Sequence, residues 1–273
     1  MLIIGERINS TRKGIREMIA ARDAGAILNE AVSQARAGAQ FIDVNCAVTS
    51  GEELRDIEWV IGVIQNGMPG VSICIDSPDH LAIERALSAY KGTGSVIINS
   101  ITAEESRCSK ILPLASKYGA KLIALTMGES GMPDTAVERA AIAKTILGRV
   151  KAAGFPEEAL YFDPLVRPVS TEPGQAKEFL DSIPLIRAIG NVKTICGLSN
   201  ISFGLPNRSL INASFLAMAI ERGLDAAIVD PLDSRLMSSL SASRALLGLD
   251  EYCGDYIRAF REGRLGNKPI EIG

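Results

Sequence analysis

Short runs of Val, Ile, Leu and Ala alternate with longer stretches of helical periodicity from the first residues almost to the last. The apolar runs fall at residues 2–8, 40–45, 71–76, 95–99, 121–126, 160–163, 192–198 and 225–229. Each is nearly continuous in apolar character, as a parallel strand covered on both faces must be. Helical spacing fills the intervals at 15–37, 52–65, 79–89, 104–118, 136–153, 175–188, 207–221 and 234–246, with a further helix near 250–261. Gly38, Gly119, Gly154 and Gly223 follow helical stretches, where a left-handed C-cap favours glycine, and Pro78 and Pro133 stand near helix starts. Eight βα units in 273 residues predict an α/β fold, a (β/α)8 TIM barrel. It is expected to occupy residues 1–262 as one domain, with residues 263–273 as an exposed tail. A doubly wound sheet competes, but no Gly-x-Gly-x-x-Gly follows the first strand.

Composition narrows the chemistry. A formal charge of −3, with both signs interspersed, argues against a nucleic-acid binder, which needs clustered Lys and Arg. No apolar run approaches the ~20 residues of a membrane span, and the charged start at Glu6 and Arg7 does not read as a signal peptide. Cys46, Cys74, Cys108, Cys196 and Cys253 form no CxxC pair, so packing in a reducing cytoplasm is the expectation. His80 is the single histidine, which removes Ser-His-Asp triads and His-rich metal sites, and its place at a helix start reads as surface. No metal centre is read within the chain, since Asp, Asn and Ser alone do not define a magnesium cage.

In a TIM barrel the active site lies at the C-terminal ends of the strands. The polar residues there are Glu6, Arg7 and Asn9; Asp43 and Asn45; Asp76 and Ser77; Asn99 and Ser100; Thr126 and Met127; Asp163; Ser199 and Asn200; and Asp230. Any one of them serves equally well as a cap for the following helix. Together they are carboxylates and carboxamides with no His or Lys, a set suited to hydrogen bonding rather than nucleophilic attack. Carboxylates accept paired N–H donors from a guanidine-like heterocycle edge, and amides satisfy mixed edges; a pterin presents both. Lys121 and Lys193 begin strands instead of ending them, the wrong face for a Schiff-base aldolase.

Six strings occur in barrel order: GERIN at 5–9, IDVN at 42–45, CIDS at 74–77, IINS at 97–100, YFDPL at 161–165 and GLSN at 197–200. With NRSLINASFLAMAIERGLDAAIVDP at 207–231 they resemble the pterin-binding methyltransferases. More narrowly, the chain is similar to the methyltetrahydrofolate:corrinoid protein methyltransferases and to the folate module of cobalamin-dependent methionine synthase. The resemblance covers residues 1–262 and implies a dihydropteroate-synthase-like, pterin-binding barrel. It implies methyl transfer between N5 of tetrahydrofolate (5-methyltetrahydrofolate when loaded) and the cobalt of a corrinoid, a cobalamin, on a separate protein, in either direction.

The same resemblance implies that Asp76, Asn99 and Asp163 hold the pterin, that Gly197 and Ser199 line the site, and that Asn200 acts at N5 with Asp76 in its network. Asp43, Asn45, Glu6, Asn9 and Met127 are further candidates; Arg208 either reaches the folate tail or is a surface residue. A homodimer is implied, and the apolar segment 214–220 either supplies its interface or packs on the barrel. Two other readings stand beside this one. A folate-binding barrel without catalysis would keep the same carboxylates. Dihydropteroate synthase shares the barrel, but that family carries Arg-x-His near its last strand, where this chain reads DAAIVDP at 225–231.

Overall fold

In the computed structural model, which describes residues 1–265 apart from Ser50 and Ser130, eight parallel strands close into a barrel in chain order. The strands are β1 (Leu2–Asn9), β2 (Phe41–Asn45), β3 (Ser72–Asp76), β4 (Val96–Ile101), β5 (Lys121–Leu125), β6 (Leu160–Asp163), β7 (Lys193–Gly197) and β8 (Ala226–Val229). Closure is made by β1 against β8, with Leu2 opposite Ala226 and Gly5 opposite Val229. The outer helices are α1 (Lys13–Ala20), α2 (Ala24–Arg36), α3 (Glu53–Gly67), α4 (His80–Ala89), α5 (Glu105–Tyr118), α6 (Ala136–Ala152), α7 (Gln175–Arg187), α8 (Arg208–Glu221) and α9 (Ser234–Leu246). A short α10 (Gly254–Arg261) follows. The end of the predicted tail, residues 266–273, lies outside the described residues.

The barrel and its strands are as the apolar runs predict. The single long helix expected at 15–37 is two helices, because Arg22 takes a left-handed φ of 54° and the Asp23 side chain accepts from Ala26 N to start α2. Apolar periodicity runs through such a break, since both helices turn a face to the same strands. Gly38, Gly119, Gly154 and Gly223 all have positive φ where their helices end. Pro78 and Pro133 precede the caps Asp79 and Thr135.

Two faces of each strand are buried for different reasons. Alternate residues point inward, and Ile4, Phe41, Cys74, Ile97, Ile123, Tyr161, Ile195, Ala226 and Ile228 fill the barrel interior. At its N-terminal end, the ammonium groups of Lys121 and Lys193 lie over the rings of Phe41 and Tyr161. The outward residues, Ile42 and Ile73 among them, form one apolar core with helix residues such as Ile57 and Ile61 of α3. Each such isoleucine contributes roughly 1.5–3 kcal/mol on burial.

Cys46, Cys74, Cys108 and Cys196 are buried as expected of packing residues, whereas Cys253 is exposed because it lies on the short connection into α10, outside the barrel. In the segment 214–220, Phe215, Leu216, Ala219 and Ile220 are buried, with the Phe215 ring 5.4 Å from that of Phe179, and Met218 is exposed. That face therefore packs on the barrel. His80 opens α4 with its side chain about one-third exposed beside Asp79. Among the described residues no helix is long and apolar enough to cross a membrane.

Candidate functional site

The two-residue period of the strands decides which polar ends share the barrel interior. Asp43 and Asn45 are in phase with Phe41, Asp76 with Cys74, Asn99 with Ile97, Asp163 with Tyr161 and Gly197 with Ile195. Strand register then sets their height. Asn45 is opposite Asp76 and Asp76 opposite Asn99, so the three form a row at one level. Asp43 is opposite Cys74, one level deeper. β2, β3, β4 and β6 thus begin inward with an apolar side chain and end with a hydrogen-bonding one, which puts a polar layer on an apolar floor.

Within that layer, Asn45 Nδ2 donates to Asp76 Oδ2 at 2.8 Å, and Asn45 Oδ1 accepts from Ala47 N at 3.0 Å. Burial raises the Asp76 carboxyl above the usual carboxylate range, against the Asn45 bond and the Arg107 charge, which lower it. Burial also pushes Asp163 up to about 6, although its Oδ1 accepts from Leu165 N at 2.7 Å. Asp43 is raised well above its ordinary value, by burial first and then by the charge of Asp76. The site is therefore rich in carboxyl groups whose ionisation the fold opposes, a common property of binding and catalytic pockets.

A second cluster joins the first strand to the seventh. Ser199 Oγ donates to Glu6 Oε1 and Oε2 at 2.9 and 3.0 Å, and Arg12 Nη2 reaches Glu6 Oε1 at 3.2 Å. Burial raises the Glu6 carboxyl. Asn200 follows on the short turn Leu198–Ser202, exposed at the mouth. Its Nδ2 lies 3.5 Å from the point where a side chain at Gly197 would begin, so the bare glycine leaves room beside the amide. Asp230 accepts from Arg7 Nη1 at 2.8 Å, and Arg7 also pairs with Glu30.

The structure brings Asp43, Asn45, Asp76 and Asn99 together on neighbouring strands, and Glu6 with Ser199. Asn9, opposite Asn45 across the β1–β2 pairing, has its Oδ1 engaged locally, accepting from Thr11 N and Thr11 Oγ1 at 3.0 and 2.7 Å. Met127 is half-buried beyond β5, its backbone bonded to Leu125 and Ala103. Arg208 is held on the Asn200 turn, with Nη2 donating to Ser199 O at 2.6 Å and Nε to Ser202 Oγ at 3.0 Å. It braces that turn from the start of α8.

Two further braces escape a reading of strand ends. Arg107, near the start of α5, donates to Ser77 O at 2.8 Å and Ser100 O at 2.9 Å and also to Pro78 O, tying the loop after β3 to the end of β4. Arg139, near the start of α6 and wholly buried, donates to Pro164 O and Gln175 Oε1, each at 2.7 Å, and to Asp134 O, fixing the loop after β6. A signal existed in the sequence. A cation in the first turn of a helix opposes the helix dipole, so three arginines placed there, Arg107, Arg139 and Arg208, need partners elsewhere.

A parallel barrel whose mouth carries carboxylates and carboxamides suits a ligand with hydrogen-bonding edges. Residues 5–230 match the family described as pterin binding enzyme, and the chain is a member of it. Over 275 residues it is 34% identical to a methylcorrinoid:tetrahydrofolate methyltransferase of Eubacterium limosum, covering 99% of each chain. It is 31% identical to a methionine synthase of Mycobacterium tuberculosis, over 92% of this chain and 22% of that protein. Among solved structures, a Yersinia pestis dihydropteroate synthase with a pterine-sulfa conjugate superposes with a TM-score of 0.69 at 17% identity, covering 91% of this chain and 93% of that one. Dihydropteroate synthase from Xanthomonas albilineans in complex with 7,8-dihydropteroate gives 0.68 at 19%, covering 90% and 93%. These two are likenesses of fold. The resemblance carried by the six strand-end strings is borne out.

Proposed function

We infer that this protein is a methyltransferase that moves a methyl group between N5 of tetrahydrofolate and the cobalt of a corrinoid carried by a separate protein. One observation carries the reading: the level row of Asn45, Asp76 and Asn99 above the barrel floor, in a chain alike from end to end to a methylcorrinoid:tetrahydrofolate methyltransferase. Asp76 and Asp163 accept the paired N–H donors of the pterin, and the Asn99 amide meets its mixed edge. Gly197 and Ser199 line the ring, and Asp43, Asn45 and Glu6 hold these groups in place. The corrinoid, as co-substrate, supplies the metal that takes or gives the methyl group.

The chain's own contribution lies at N5. Nitrogen leaves carbon poorly unless it is protonated or hydrogen-bonded as its electron pair returns. In this reading Asn200, exposed on its turn at the mouth, donates there within a network that includes Asp76 and ordered water. Holding the ring at the floor leaves the methyl group facing the open end, where a corrin face docks. The same contacts serve both directions, and the direction follows from which methylated partner is supplied. The homodimer and the cytoplasmic setting belong to this reading; five free thiols, four of them buried, support the reducing compartment.

The test is anaerobic. The protein is mixed with 5-methyltetrahydrofolate and chemically reduced cobalamin, and the visible spectrum is followed for methylcobalamin. Enzyme-dependent conversion is expected, falling by about 10²–10³ in Asn200→Ala, the loss typical of one transition-state donor at ~2.7–4 kcal/mol. A loss below tenfold in single turnover removes Asn200 from that role. Saturable folate binding with no transfer to any corrinoid protein supports the non-catalytic barrel instead.

A further inference from the structure

Asp43 differs from the other carboxylates of the mouth. It faces the interior one level below Asn45 and Asp76 and is 2% exposed. Its Oδ1 has no hydrogen-bond partner among the described residues. The groups that face it are Glu6 from β1 and Asp76 and Cys74 from β3; none is a cation, and the Cys74 thiol gives it only a weak hydrogen bond. Asp76 is better provided. It accepts from Asn45 at 2.8 Å and feels the Arg107 guanidinium, with Glu53 as the opposing charge. Two interacting carboxylates at low dielectric do not both ionise readily, and the proton stays on the one with the weaker donor and no cation beside it. A charged oxygen buried without a donor is far more costly than a neutral hydroxyl.

We propose that Asp43 and Asp76 share one proton at neutral pH, that it is held on Asp43, and that Asp76 therefore meets its ligand as a full carboxylate. The consequence is selectivity. Asp76 as an anion only accepts, so it takes a ligand edge made of N–H donors, such as the amino-pyrimidine edge of tetrahydrofolate, and disfavours one made of acceptors. Neutral Asp43 keeps a second negative charge from accumulating beneath that edge. The ligand consequence rests on the folate reading above; the position of the proton does not.

Infrared spectroscopy of the ligand-free protein tests it, with the carbonyl stretch of a protonated carboxyl as the signal. At about pH 8 Asp163, which titrates near 6, is ionised and silent. The unsubstituted protein should show the band, and difference spectra should show it lost in Asp43→Asn. In Asp76→Asn the band should persist at lower pH but titrate away at least ~1 unit earlier than in the unsubstituted protein, a tenfold fall in proton affinity once the repelling carboxylate is gone. The proposal is overturned by a band missing from the unsubstituted protein, by one that survives Asp43→Asn, or by an unaltered titration in Asp76→Asn. The first of these is read without any substitution, so a variant that misfolds does not protect the idea. Adding tetrahydrofolate to the same samples separates the two readings: the expected bands without saturable binding uphold the shared proton and remove the folate assignment.

Discussion

Removing the Arg107 side chain tests whether the mouth is held by arginines on the surrounding helices. Its guanidinium is half-buried and serves three carbonyl groups, those of Ser77, Pro78 and Ser100. Ser77 and Ser100 directly follow Asp76 and Asn99 in the chain. Hydrogen bonds from a charged donor are worth about 1.5–3 kcal/mol each, and a carbonyl left dry and unpaired costs about 1–3 kcal/mol. Partial exposure of the side chain lets water replace some of this, so Arg107→Met should destabilise the protein by about 3 kcal/mol. For a chain of this size that lowers Tm by roughly 6–12 °C. Arg107→Lys reaches fewer carbonyls from a single point charge and should recover less than half of the loss. Thermal unfolding gives the stability, and calorimetry with tetrahydrofolate gives the second readout, an affinity about tenfold weaker as Asp76 and Asn99 lose their shared anchor. A Tm within 2 °C of the unsubstituted protein, roughly the effect of under 1 kcal/mol, together with unchanged affinity would refute the reasoning.

Other outcomes follow from single groups. Asp163 is raised to about 6 from an unfolded value near 3.8, so its neutral form favours the fold: the contribution is complete below the unfolded value and is lost as pH rises through 6. Asp163→Asn should therefore be more stable than the parent at about pH 8, by up to about 3 kcal/mol, no more stable below about pH 4, and weaker in tetrahydrofolate binding at both; parallel urea titrations at the two pH values check the sign. Cys253 is the exposed thiol, while burial raises the other four, so a disulfide thiol reagent should label one thiol quickly in the native protein and the rest only on unfolding. Asp23→Ala removes the cap that restarts the chain after Arg22 and should cost about 1 kcal/mol, measured by chemical denaturation; no change would mean that packing alone sets the break.

The arginine braces have a functional meaning beyond stability. Arg107 ties the loop after β3 to the end of β4, Arg139 fixes the loop that follows Asp163, and Arg208 fixes the turn that carries Asn200. Groups that bind a planar ring must be held to fractions of an ångström, and the loops that carry them have little packing of their own. Helix starts lie at the same end of the barrel as the strand ends, so a long side chain in the first helical turn is well placed to reach loop carbonyls. The dipole cost of a cation there is offset by neutral acceptors that would otherwise be short of donors.

Much of this protein is legible in the chain because barrel closure obeys local rules repeated eight times. Continuous apolar runs fix the strands, and the alternation within each run fixes which residues point inward, so Phe41, Asp43 and Asn45 must share a face whatever the rest of the fold does. The hydrogen-bonding character of the mouth follows from that alternation and from where each run turns polar. What needed the tertiary structure depends on which residues meet across large sequence separations. Nothing local tells Asn9, folded back on Thr11, from Asn45, bonded to Asp76 on the next strand. The pairing of Glu6 with Ser199 spans 193 residues and exists only because the first strand closes against the last while the seventh turns its end toward it. The break at Arg22 was hidden because a helical face reads the same on both sides of it. Asp43 and Asp76 are alike as sequence, each an acid inside an apolar run; one level of register and a single amide donor make one of them keep its charge and the other its proton.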